Sequence, residues 1–196
     1  SDGGTLILEF KDQLTAFNAQ KKGSFEGKGQ VNSKITELIF AHLLTKGIKS
    51  HFVERLDPMR IRVLEVNMIP LEVVVRNIMA GSLAKKLGEA EGKILPFPVV
   101  EFYFKNDALE DPMLVEDHIL AMGIADRPRV DEMRNLALNI NTILKELFAK
   151  MNLDLVDFKL EMGLTKDNKL VLADEITPDS CRLWDKKSGE KMDKDR

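Results

Sequence analysis

Residues 153–176 read LDLVDFKLEMGLTKDNKLVLADEI. Two runs rich in branched and apolar residues flank TKDN at 165–168, which predicts a β-hairpin. Alternate side chains of a strand share a face. Asp157, Lys159 and Glu161 therefore point one way, and Val156, Phe158, Leu160 and Met162 the other. On the return strand Asp174 and Glu175 are adjacent, so one of them shares a face, or nearly so, with the acids opposite. Two carboxylates on neighbouring strands suit Mg²⁺, which takes hard oxygen ligands together with phosphate and water. A lysine between them could neutralise a phosphate. The competing reading is the solvated face of a meander, where charged alternation is routine.

Outward from the hairpin, strands and helices mix without an internal repeat. TLILEF at 5–10 reads as a strand, and GSFEGKG at 23–29 as a Gly-rich connection. Val31, Ile35, Leu38, Ile39 and Leu43 recur at helical spacing, with Gly47 as the stop. Short strands follow near 51–55, 60–66 and 71–76, a short helix near 78–87, and a strand over PFPVVEFYFK (96–105). Met133, Leu136, Ala137, Ile140, Ile143, Leu144, Leu147 and Phe148 make one apolar stripe over 130–150, a core helix with no chemical role. Strands grouped early and helices interleaved later indicate α+β. A division near residue 70 is expected, with a small antiparallel-sheet domain at 1–70 and a larger α+β domain at 71–196.

The 196 residues carry 29 Lys and Arg against 32 Asp and Glu, a net charge of −3, which argues against a general nucleic-acid binder. No apolar run approaches the roughly 20 residues of a membrane helix, and no charged-then-apolar leader opens the chain, so a cytoplasmic protein is expected. Cys181 is the sole cysteine, leaving no internal disulfide. His42, His51 and His118 lack metal-ligand spacing and read as structural or surface residues. The chain opens on Ser1 and closes on KMDKDR, which reads as lacking residues at both ends.

Three further segments hold groups for chemistry. ITPDSCRLWDKKSGEK (176–191) reads as a loop dense in donors and acceptors, anchored by Trp184, with Arg182 able to fork onto a phosphate or carboxylate. Surface salt bridging is its bland reading. VVVRNIMAGS (73–82) ends a buried strand in Arg76 and Asn77 and places Gly81 and Ser82 near a helix start, where backbone N–H groups favour phosphate. KNDALEDP (105–112) sets Lys105, Asp107, Glu110 and Asp111 in a charged loop that by itself says little. Neither a P-loop, a strand-borne G-x-G-x-x-G, nor a nucleophile elbow is present.

Taken in order, FKDQLTAFNAQKKGSFEGKG (10–29), MIPLEVVVRNIMAGS (68–82), FYFKNDALEDP (102–112), LVDFKLEMG (155–163) and LADEITPDSCRLWDKKSGEKMDKDR (172–196) resemble the phosphoribosylaminoimidazole-succinocarboxamide synthase family. The resemblance runs from about residue 5 to 196. It implies a small antiparallel sheet domain and a larger α+β domain with ATP in the cleft, an architecture related to protein kinases and ATP-grasp enzymes. It also implies a Mg²⁺-dependent ligase and a homo-oligomer. ATP phosphorylates a carboxylated aminoimidazole ribonucleotide, and the L-aspartate amine then attacks the acyl phosphate. Carried over by motif, Glu161 and Asp174 are the metal and nucleotide carboxylates. Lys159 sits on the reacting carboxylate or phosphoryl group, with Asp157 beside it. Arg76, Ser82 and Arg182 hold the ribonucleotide phosphate. Lys105 and Asp111 belong to a nucleotide-side loop and Asp179 to the substrate loop. Lys186 or GSFEGKG are the guesses for the aspartate pocket. The family's opening Gly-Lys-Ala-Lys hairpin and its closing helix have no counterpart, and Leu64 and Glu65 stand where a Lys pair is common. Two other readings use the same residues: a small-molecule kinase with Asp157 as general base, and a nucleotide-binding protein without catalysis.

Overall fold

The computed structural model describes residues 4–16 and 21–192; residues 17–20 of the first quoted family segment and 193–196 of the closing run lie outside them. The strands are β1 (Thr5–Glu9), β2 (Gln13–Ala16), β3 (Lys21–Ser24), β4 (Phe52–Arg55), β5 (Arg60–Leu64), β6 (Asn67–Ile78), β7 (Ile94–Phe104), β8 (Met113–Leu114), β9 (Leu153–Leu164), β10 (Leu170–Ala173) and β11 (Cys181–Asp185). The helices are α1 (Lys28–Thr45), α2 (Gly81–Leu87), α3 (Glu116–Ala121) and α4 (Arg127–Ala149). Every pairing between these strands is antiparallel. The class is α+β, as the sequence indicates.

A six-stranded sheet dominates, in the order β10-β9-β6-β7-β8, with β11 also on β9. β9 is long enough to carry β10 along its second half and β11 along its first half, both on the edge opposite β6. A three-stranded sheet β1-β5-β4 and the β2–β3 hairpin complete the strands described. Residues 49–51 stitch the small sheet to the large one: Leu172 donates to the Lys49 carbonyl, and His51 donates its backbone N–H to the Leu172 carbonyl. Pro70, where a division is expected, stands inside β6.

α4 covers one face of the large sheet. Its start is set by Asp126, whose carboxylate accepts the Arg129 N–H, and by Pro128 in the first turn. Val130, Met133, Ala137, Ile140, Leu144 and Phe148 are buried at helical spacing. They pack with Leu71, Val73 and Val75 of β6 and with Leu155, Phe158, Leu160 and Met162 of β9. One parity assignment needs correction. Leu155, not Val156, joins this core, because the register with β11 shifts between Arg182 and Leu183 and the alternation of β9 changes phase there.

Residues 176–191 are not the single loop their composition predicts. Cys181–Asp185 is strand β11, and Trp184 belongs to it. Cys181 and Leu183 alternate inward and are buried, so the segment has the period of a strand, masked in sequence by its dense charges.

Candidate active site

The face of the large sheet turned away from α4 is polar, and it is not a solvated meander: Arg76 and Asp157 are each 3% exposed, as is Glu161. Strand register explains the placement. Arg182, Asp157 and Arg76 stand in one row across β11, β9 and β6. Two positions along, Lys159 pairs with Val74, and two further Glu161 pairs with Glu72. Tyr103 of β7 extends the Glu72 row, and Glu101 the Val74 row. Charges of opposite sign thus alternate along β9 and across the Arg182–Asp157–Arg76 row, whereas Glu161 faces Glu72, a like charge that Lys159 bridges.

The first group is centred on Arg76. Its Nε donates to Glu101 at 2.6 Å, and one terminal nitrogen to Asp157 at 2.9 Å. The other terminal nitrogen donates to Ser82 Oγ at 3.1 Å and to the Tyr103 hydroxyl oxygen at 3.2 Å. Tyr103 in turn donates to Glu101 at 2.9 Å. Arg182 reaches Asp157 from the other side, at 3.0 and 3.1 Å from its two oxygens. Burial would lower the Arg76 pKa, yet Glu101 and then Asp157 hold it above its ordinary value. Beneath, Asn77 and Asn141 exchange amide hydrogen bonds of 2.8 and 3.0 Å, and Asn77 also donates to the Leu155 carbonyl. β6 is thereby tied to α4 directly behind Arg76.

The second group surrounds Lys159. Its Nζ lies 3.0 Å from Glu72 and from Glu161, and 3.8 Å from Asp174. Lys105 pairs with the other oxygen of Glu161. Burial would lower the Lys159 pKa, but the charges of Glu161, Glu72 and Asp174 raise it well above the usual lysine value. Among the carboxyls the directions diverge. Burial would raise Glu161, yet Lys159 and Lys105 bring it below its ordinary value, whereas burial and then the Glu161 charge push Asp174 up. Asp174 follows β10 with φ 57, a left-handed conformation. His51 fixes it there, its Nε2 lying 3.0 Å from the Asp174 carbonyl oxygen. His51 is accordingly structural, as its isolation in the sequence suggests.

Asp179 forms a third group, held by Lys28 Nζ at 2.7 Å and by the Asn32 amide at 2.7 Å on the first turns of α1. Asp111 stays with its own loop, accepting the Asn106 N–H at 2.7 Å. Lys186 pairs with Asp154 at 3.6 Å. Of the residues selected from the sequence, the fold therefore gathers Arg76, Ser82, Asp157 and Arg182 into one group and Lys105, Lys159, Glu161 and Asp174 into the adjoining one.

Sequence reasoning passed over Glu72, Glu101 and Tyr103. Each is a polar residue within an otherwise apolar strand run, and a charge interrupting such a run is the signal that was available. In the sequence Glu175 stands only as the alternative to Asp174. Burial, and then the charges of Asp174 and Asp179, raise its pKa to about 7. A carboxyl whose folded pKa exceeds its unfolded value binds more protons when folded. Its effect on stability therefore worsens as pH rises from the ordinary carboxyl range to about 7. Glu175→Gln is expected to leave the melting temperature near that of the parent at pH 5 and raise it by several degrees at pH 8. Thermal unfolding followed by circular dichroism at the two pH values checks this; equal shifts at both would refute it.

Among the described residues no cluster of three or more His, Cys, Asp or Glu is arranged around a metal position. The Glu161–Asp174 pair nevertheless fits Mg²⁺, which commonly takes one or two carboxylates and completes its shell with water and substrate phosphate. Both carboxylates converge on one positive charge, the Lys159 ammonium, 3.0 Å from Glu161 and 3.8 Å from Asp174.

Comparison with known proteins identifies the family of this fold. A model of the SAICAR synthetase family matches residues 1–196. A phosphoribosylaminoimidazole-succinocarboxamide synthase of Listeria monocytogenes serotype 4a is 53% identical over 194 residues, covering 99% of this chain and 82% of the relative. One from Hyphomonas neptunium is 54% identical over 198 residues, covering 98% and 76%. A solved structure of a SAICAR synthetase in complex with ADP superposes with a TM-score of 0.96 at 47% identity, over 100% of this chain and 83% of that one. The Pyrococcus horikoshii SAICAR synthetase gives 0.94 at 47% identity, over 100% and 85%. The fold is that of an ATP-dependent ligase. The chain belongs to the SAICAR synthetase family.

Proposed function

We propose that this chain catalyses the ATP-dependent joining of L-aspartate to the carboxylate of 5-amino-1-(5-phosphoribosyl)imidazole-4-carboxylate in de novo purine biosynthesis. The observation that carries the reading is strand β9. It places Asp157, Lys159 and Glu161 in line between an arginine pair and a carboxylate pair. A free carboxylate is a poor electrophile for an amine. Transfer of the ATP γ-phosphoryl group to it gives an acyl phosphate; the aspartate amine attacks the acyl carbon, phosphate leaves, and the products are the succinocarboxamide nucleotide, ADP and phosphate. The ADP complex of a relative supports ATP as cosubstrate.

In this reading Arg182, Ser82 and Arg76 seat the ribonucleotide phosphate. Asp157 orients both guanidiniums, and Lys159, on the same face, stabilises charge on the reacting carboxylate and phosphoryl group. Lys105 and Glu161 stand on the nucleotide side, and Glu161 with Asp174 would hold Mg²⁺. When bound, Mg²⁺ supplies charge neutralisation to the phosphoryl oxygens. Asp111 keeps the loop after β7 in shape, and Asp179 lines the substrate side next to Lys28 and Asn32. Asp157 already accepts from two arginines, which disfavours the kinase alternative in which it is a general base. No described helix is long and apolar enough to cross a membrane. The proposal extends to a cytoplasmic homo-oligomer with small-molecule partners, divided near residue 70 into a small-sheet part and a larger α+β part.

ADP release measured with ATP, Mg²⁺ and the ribonucleotide, with and without L-aspartate, is the decisive assay. Aspartate-dependent release matched by the succinocarboxamide product is expected. Glu161→Gln and Asp174→Asn are each expected to lower kcat ~10²-fold or more and to raise the Mg²⁺ concentration for half-maximal rate. Nucleotide binding without turnover would overturn the ligase reading.

A further inference from the structure

The turn between α2 and β7 brings one more anion to the arginine group. Glu91 accepts the Gly81 N–H at 2.8 Å, and Lys191 Nζ lies 3.4 Å from its other oxygen. Gly81 is also where Arg182 packs: a β-carbon there would meet the guanidinium carbon at 2.7 Å. The Gly81 N–H, then Lys191 and Arg182, hold the Glu91 carboxyl below its ordinary pKa. A carboxylate of the chain itself thus stands beside the arginine group assigned above to a phosphate. The seat does not rest on the short helix α2 alone, since the Arg182 guanidinium packs against Gly81 beside it. Nor is Glu91 locked in place. Its side chain is 43% exposed, residues 88–94 are all exposed, and Gly88 and Gly92 turn through left-handed backbone with open space about them.

We propose that Glu91 is an internal competitor for the ribonucleotide phosphate, occupying the place beside Gly81 and Arg182 until a phosphomonoester displaces it. The proposal rests on the reading of Arg76, Ser82 and Arg182 as the phosphate site. A dianionic phosphate has more charge and more acceptor oxygens than one carboxylate, so it displaces Glu91. A weaker monoanion does not. Glu91 therefore sets both the affinity of the pocket and its discrimination among anions, a repulsive device against wrong ligands.

Steady-state kinetics of the full chain separates the possibilities, varying the ribonucleotide at saturating ATP and aspartate, with inorganic phosphate as a competing probe. Glu91→Gln, which removes the charge and keeps an oxygen for the Gly81 N–H, is expected to lower the ribonucleotide KM about threefold or more. The inhibition constant of phosphate should fall in parallel while the ATP KM stays put. Glu91→Ala is expected to move both constants the same way. If Glu91 only caps α2, the Gln variant keeps the parental KM and the Ala variant raises it, and the competitor is overturned. Arg182→Gln serves as the reference and should raise the ribonucleotide KM at least tenfold. An unchanged KM there overturns the phosphate site itself, whereas a raised KM with inert Glu91 variants overturns the competitor alone.

Discussion

Lys159→Met is expected to lower kcat by ~10³-fold or more and to make the stability of the protein fall as pH rises. The ammonium lies among Glu72, Glu161 and Asp174, and without it only Lys105, itself 46% exposed, offsets three acids. Removing one partner of a buried ionic group costs roughly 3–5 kcal/mol. The pH dependence identifies the source. In the parent the Lys159 pKa is raised, so its contribution is complete below the ordinary lysine pKa and persists through neutrality. In the variant the orphaned carboxyls keep protons in the folded state that the unfolded chain releases. Stability is then retained near pH 5 and lost towards pH 8. Thermal melts at both values, beside the kcat measurement, decide the matter. A variant within tenfold of parental kcat, or one destabilised equally at both pH values, would contradict the assignment.

Arg76→Met is the second large effect. Its guanidinium is 3% exposed and donates to Glu101, Asp157, Ser82 and Tyr103. Methionine fills much of the volume but abandons two buried carboxylates, an expected loss of roughly 3–5 kcal/mol. At ~2–4 °C per kcal/mol for a chain of this size, the melting temperature drops by about 10 °C. Arg76→Lys is expected to recover less than half of it, because one ammonium cannot fork onto partners on both sides. Adding Glu101→Gln to Arg76→Met should return part of the stability without restoring ribonucleotide affinity. That separation distinguishes substrate binding from general support of the sheet. Recovery of both together would show that Arg76 acts only through the fold.

These two residues also show what could be read from the linear chain. The period-two pattern of 153–176 and the 3.6-period stripe over 130–150 report directly on burial, so the hairpin and α4 were legible. Position on a face was legible too: Asp157, Lys159 and Glu161 share one, as alternation requires. What lies opposite that face was not, because pairing between β9 and β6 joins residues some 85 apart, and no local pattern encodes it. Glu72, Glu101 and Tyr103 acquire meaning only from that register. The phase change at Leu155 and the strand at Cys181–Asp185 were hidden for a related reason, since a bulge breaks alternation and charged residues obscure it. Roles for the individual groups came from the family likeness; spacing alone could not separate a buried ionic face from a wet one.

The central place of β9 has a consequence for how the protein is made. β6 and β7 can pair as soon as they leave the ribosome, but the partner for the other edge of β6 begins some 75 residues after β6 ends. At about 5–20 residues synthesised per second the open edge waits about 4–15 s. That edge holds Val73, Val74 and Val75, a ready template for a second nascent chain. Production of this protein should therefore be limited less by the stability of the finished molecule than by shelter for the half-built sheet. Slowing synthesis upstream of residue 153 should deepen aggregation, and a chaperone that covers exposed strands should relieve it.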